Sequence, residues 1–150
     1  MKYFLACNLR GDISTYQKKL VRDIAENFGV ILPTKQKLGP HVTLKYSFEA
    51  PNIKQLEEMI QNFCASHRKS KMMVGRFNNF RNDVIFLDIE LSDEAKKVFL
   101  DLIDVLRKLQ WMSWGEYDGE ILHFHSTIAS GCEKNYTEIF PIYQREKFSI

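Results

Sequence analysis

With 150 residues the chain is long enough to bury a core and short enough for one domain, and its 45% apolar and 27% charged residues are ordinary for a soluble globular protein. A formal charge of +2 excludes the large electrostatic footprint that grips long duplexes regardless of sequence, while leaving local phosphate ligands open. No stretch approaches the roughly 20 apolar residues of a membrane helix, so no membrane partner is expected.

The first element is a buried strand over 3–9, ended by Arg10-Gly11. Its apolar run meets Asn8, Arg10 and Asp12 too soon for an export segment. Cys7, Cys64 and Cys132 are widely separated and lack Cys-x-x-Cys spacing, which reads as reduced, packed thiols and a cytoplasmic protein. Asp12 is placed to cap a helix in which Ile13, Tyr16, Leu20, Val21, Ile24 and Phe28 form an apolar stripe, with Gly29 as its stop. A polar loop carrying Pro33, Lys35, Lys37, Gly39 and Pro40 follows, its cations open to a phosphate chain.

A strand then begins at His41 and runs through Val42-Thr43-Leu44-Lys45-Tyr46. Pro51-Asn52 opens a second helix with Ile53, Leu56, Met59, Ile60, Phe63 and Cys64 inward, and His67 suits its negative C-terminal end. Residues 72–80 read as a strand, Arg81-Asn82-Asp83 as a turn, and 84–91 as the next strand. Ser92 caps a third helix, with Val98, Phe99, Leu102, Ile103, Leu106 and Leu109 as its stripe. Trp111, Trp114 and Tyr117 lie in or beside a Gly-containing loop, where aromatics either stack on a base or cover a helix end. The strand of His125-Ser126-Thr127-Ile128 comes next, then at most a short helix over 135–143, which Pro141 interrupts, and a final strand-like stretch at Lys147–Ile150.

Two His-x-Thr triplets, at His41 and His125, thus sit in strands. Residues two apart on a strand share a face, so each triplet presents an imidazole and a hydroxyl together. Nearly the same spacing separates Phe4-Leu5 from Phe86-Leu87 as separates the two histidines, and a helix intervenes in each half. The pattern is an internal pseudo-repeat over about 1–81 and 82–150 within one domain, expected to set the two triplets face to face across a groove. Phosphodiester chemistry needs one group to take a proton and another to give one, and histidine, with a pKa of about 6.5, suits both roles. Thr43, Thr127 and Lys45 are then candidates to hold phosphate oxygens. Tyr46, Trp114 and Tyr117 are candidates to border or stack on a base. A rival reading joins His41, His123 and His125 as zinc ligands, but leaves both threonines without a role.

With the duplication around them, His41-Val42-Thr43-Leu44 and His125-Ser126-Thr127-Ile128 resemble the two-histidine phosphoesterases, whose best-known branch is the 2′-5′ RNA ligase and cyclic phosphodiesterase family. Gly75-Arg76-Phe77 followed by Val84–Ile89 is similar to that family's middle segment. The resemblance implies an α+β, bilobal fold with two antiparallel sheets flanking a cleft. It implies metal-independent attack on 2′,3′-cyclic phosphates of RNA ends or nucleotides, or on related 2′-5′ linkages; no cofactor is expected, and the protein is expected to be a monomer. In that reading His41 is the acid and His125 the base, or the reverse. Members near the ligase branch carry arginine just after the second triplet, where this chain has Ala129-Ser130-Gly131. That departure counts against ligase activity; a module that binds RNA ends without turnover is the further alternative.

Overall fold

The computed structural model describes residues 1–30 and 38–144. The fold is α+β, as expected, and the described residues form four helices and two antiparallel sheets of two and three strands. In chain order the elements are β1 (Lys2–Asn8), α1 (Asp12–Phe28), β2 (His41–Glu49), α2 (Ile53–Ser66), β3 (Met72–Phe80), β4 (Val84–Leu91), α3 (Asp93–Arg107), a 3-10 turn (Gly119–Ile121), β5 (His125–Ala129) and α4 (Tyr136–Tyr143). The stretch 31–37, with Lys35 and Lys37, and the strand expected at Lys147–Ile150 lie outside the described residues.

Two compact units form. One gathers Met1–Ala6, Thr43–Met73 and Leu91–His123, and the other gathers Cys7–Val42, Val74–Glu90 and Phe124–Ile150. Each therefore draws on both halves of the sequence pattern. The cause is local: Arg81 and Asn82 both adopt positive φ, 52° and 59°, and the Asp83 amide donates to the Phe80 carbonyl at 2.9 Å. That tight turn folds β4 directly back on β3, joining the two segments the repeat would separate.

The unit built around α2 and α3 has an apolar core of Phe48, Leu56, Phe63, Leu102, Leu106, Leu109 and Met112. Its helices start as their sequences dictate: Asn52 Oδ1 accepts from the Gln55 amide, and Ser92 Oγ accepts from the Ala95 amide. Trp111 packs against this core, with its ring 6.3 Å from that of Phe48.

The unit built around α1 and α4 contains the three-stranded sheet, in the order β3-β4-β5. Alternation along β4 turns Ile85 and Leu87 into a core shared with Leu20 and Ile24 of α1, Ile128 of β5, and Ile139 and Tyr143 of α4. Gly75 permits the close approach of β3 to β4, because a Cβ there would stand 3.0 Å from the Asp88 Cβ. The start of α1 differs from expectation: Gly11 is the N-cap and makes no side-chain cap, so Asp12 instead lies in the first turn, where its charge suits the helix dipole. Gly29 ends α1 in the left-handed region as expected, φ 69°, its amide donating to the Ala25 carbonyl. Pro141 lies inside α4 and forgoes one backbone donor, yet the helix continues across it to Tyr143.

None of the three cysteines forms a disulfide, and their surroundings are unequal: Cys132 is buried, Cys7 half-buried, and Cys64 exposed rather than packed. Burial, helped by the nearby Asp83 charge, pushes the Cys132 thiol up to about 11. Alkylation of the native protein at pH 8 is expected to modify Cys64 and spare Cys132 until denaturant is added. Mass mapping of the labelled peptides checks this, and rapid native labelling of Cys132 would contradict it.

Candidate active site

The second triplet is set by the pairing of β5 with β4. Their antiparallel register places His125 opposite Asp88, Ser126 opposite Leu87 and Thr127 opposite Phe86, with an irregularity between Ile85 and Phe86. His125 and Thr127 therefore share a face with Asp88 and Phe86, while Ser126 points toward α1. The His125 ring packs against a pair of phenylalanines whose own rings are 4.3 Å apart, edge-on to Phe80 at 5.0 Å and tilted against Phe86 at 4.9 Å. Phe86 is fully buried, so one wall of that contact is fixed.

The first triplet opens β2. His41 Nδ1 lies 2.9 Å from the Gly39 carbonyl oxygen. A carbonyl can only accept, so Nδ1 is the donor in this contact. Thr43 follows two residues along, half-buried like His41.

A buried polar link ties these strands to α1. Ser126 Oγ lies 2.8 Å from the His41 carbonyl oxygen and 2.9 Å from Gln17 Oε1, and its single proton is shared between the two. Gln17 Nε2 in turn donates to the Thr127 carbonyl at 2.9 Å. Gln17 is 1% exposed and Ser126 0%, so neither can exchange these partners for water. The link brings the backbones of His41 and of the His125-Ser126-Thr127 triplet together, within the α1/α4 unit. Neither residue stands out in sequence; a serine between two strand positions that should both be apolar is the one available hint.

Lys45 requires a correction. It follows Thr43 on the same strand face, but its side chain is 0% exposed, and its Nζ lies 2.8 Å from Asp118 Oδ2 within the α2/α3 unit. A cation committed to a buried carboxylate is not available to a phosphate. Asp118 was not singled out from the sequence, yet it also accepts from the Gly115 amide at 2.7 Å and the Tyr46 amide at 2.9 Å. Burial pushes its carboxyl up, but the hydrogen bonds from Lys45, Gly115 and Tyr46, with the Lys45 charge, outweigh that and hold it below the usual carboxylate range. The Tyr46 hydroxyl is raised, first by burial and then by the Asp118 charge.

This pair also settles the aromatic loop. Lys45 Nζ lies 5.2 Å and the Arg107 guanidinium 5.5 Å from the Trp114 ring, which packs against the core of the same unit. Trp114 thus has a packing duty, and Tyr46 is half-buried beside Asp118. Of the three candidate base platforms, Tyr117 alone stands well into solvent, at 57% exposure.

His123 lies outside β5 and does not share a strand face with His125. Among the described residues no three His, Cys, Asp or Glu are gathered as a metal-holding group, so the three-imidazole arrangement is not formed. His67 serves the end of α2, as its position suggested: it stacks on Phe63 at 3.9 Å and its Nδ1 donates to the Phe63 carbonyl at 2.8 Å.

Two stability measurements follow. Ser126→Ala strips the donor from buried Gln17 Oε1 and is expected to cost about 1–3 kcal/mol in urea unfolding; no loss would mean the link is dispensable. Asp118→Asn leaves Lys45 buried without its counter-charge and is expected to cost about 3–5 kcal/mol. Because the folded carboxyl is depressed, the stability it contributes is complete above the ordinary carboxylate range near pH 4 and is lost as pH falls further. The acid slope of wild-type stability should therefore be shallower in Asp118→Asn.

Comparison with known proteins bears on the whole chain. Among solved structures, Usb1 of Kluyveromyces marxianus superposes with a TM-score of 0.51 at 16% identity, covering 95% of this chain and 76% of that one. A second structure of that protein, with uridine monophosphate, gives a TM-score of 0.43 at 17% identity over 93% and 74% of the two chains. No curated protein matches. The first likeness speaks to the fold. No helix among the described residues is long and apolar enough to cross a membrane. The model of the 2′-5′ RNA ligase superfamily matches residues 20–149, spanning both His-x-Thr triplets, and the chain belongs to that superfamily.

Proposed function

We propose that the protein is a phosphodiesterase that opens 2′,3′-cyclic phosphates of RNA ends or nucleotides, using His41 and His125 as an acid-base pair without a metal. The observation that supports the reading is the Ser126–His41 hydrogen bond: it ties the backbone of His41 to the second His-x-Thr triplet, in a member of the 2′-5′ RNA ligase superfamily.

Membership supports phosphodiester chemistry at RNA ends at family level, and the cyclic phosphate is the finer step. In that step one imidazole takes a proton from water as the water oxygen attacks phosphorus. The bond from phosphorus to one ribose oxygen breaks, and the other imidazole gives that oxygen a proton. The product is a phosphomonoester beside a free hydroxyl. His125, packed against Phe80 and Phe86, is assigned as the base, and His41, its Nδ1 tied to the Gly39 carbonyl, as the acid. Thr43 and Thr127 donate to the non-bridging oxygens, whose charge grows in the transition state.

The test is hydrolysis of the four 2′,3′-cyclic mononucleotides in the presence of a chelator, with the product's phosphate position identified. Turnover is expected, with a bell-shaped pH profile from one acid and one base. His41→Ala and His125→Ala are each expected to lower kcat by about 10²–10⁴-fold. A loss below about tenfold would remove the acid-base assignment, and abolition by chelator would remove metal independence.

A further inference from the structure

A cavity of about 330 Å³ opens beside the first triplet, lined by Gln17, Lys18, Arg22, His41, Thr127 and Ser130 among others, all of one unit. That volume is at the small end for ligand sites, suited to part of a nucleotide rather than a whole oligomer. Lys18 and Arg22 stand four apart on α1, so their side chains project from the same helix face. Both are exposed, and among the described residues neither enters an ion pair. Among the described residues no carboxylate lines the cavity. Two exposed cations, two hydroxyl-bearing residues and a histidine therefore line a concave space that shares His41 and Thr127 with the proposed reacting centre.

We infer that this cavity holds a second phosphate of the substrate, beyond the one that reacts, gripped by Lys18 and Arg22. The inference rests on the proposed hydrolase reading and deepens it by naming the substrate class: a cyclic-phosphate nucleotide carrying another phosphate, as a terminal 5′-group or as the diester to a preceding nucleotide. Arginine suits either, since its planar fork matches phosphate oxygens in pairs, with the lysine ammonium adding a point charge. The position of these cations also bears on Ser130, which lines the same cavity where the resemblance led to an expectation of arginine nearby. Here the positive charge comes from α1 rather than from the end of β5.

Three substrates test this: 2′,3′-cyclic CMP, its 5′-phosphorylated form, and a dinucleotide ending in the same cyclic phosphate. Wild type is expected to prefer at least one of the latter two by about tenfold in kcat/KM, the size of one charge-assisted contact. The preferred compound identifies whether the second phosphate is a monoester or a diester. In Lys18→Gln/Arg22→Gln the preference ratio should fall to about 1–2; the single variants serve if the double one does not fold. Absence of any preference in wild type, or a ratio unchanged in the variant, overturns the inference. Should no cyclic phosphate be turned over, the hydrolase reading fails on its own. Calorimetric binding of cytidine 3′,5′-bisphosphate against 3′-CMP then decides the cavity: tighter binding of the bisphosphate that disappears in the variant upholds it, and equal binding rejects it.

Discussion

A glutamine and a serine buried together hold the candidate site in register. Ser126 Oγ reaches both the His41 carbonyl and Gln17 Oε1, and Gln17 Nε2 reaches the Thr127 carbonyl. Burying an amide and a hydroxyl in an apolar layer is unfavourable unless every donor and acceptor is matched, so this contact admits one alignment of α1, β5 and the start of β2. Apolar side chains at these positions would pack against Leu20, Ile24 and Ile128 with more freedom. Hydrogen-bonded ones specify where each backbone stops.

The other unit uses the same physics with full charges. Lys45 and Asp118 are drawn out of water together, and the carboxylate is further held by two backbone amides, which is what makes a buried pair tolerable. Its effect is to fasten the loop from Trp114 to Asp118 onto β2. The lysine that the first triplet's strand seemed to offer to a phosphate is thereby committed to architecture. Among the described residues, the cations that remain uncommitted near that triplet, Lys18 and Arg22, are on a helix.

These assignments give a consistent chemical picture. In the hydrolase we propose, histidine supplies proton transfer, threonine supplies neutral donors, and positive charge is set to one side of the reacting centre rather than in it. With a formal net charge of only +2, the chain has little general attraction for nucleic acid, and affinity for a polyanion must come from such local placement.

Much of the fold was legible in the sequence because local rules govern it. Helical stripes gave α1, α2 and α3; Gly29, Asn52 and Ser92 marked their ends; and the Arg81-Asn82-Asp83 turn made β3 and β4 a hairpin. Gly11 rather than Asp12 caps α1, a one-residue difference that periodicity cannot resolve. The His-x-Thr triplets were legible for the same reason, since alternation along a strand fixes which side chains keep company. What tertiary structure alone decided was the partner of each buried polar group. Ser126 meets Gln17 across 109 positions and Lys45 meets Asp118 across 73. No local preference encodes such a match: a lysine or glutamine reads as solvent-facing until the fold delivers the one group that makes its burial affordable.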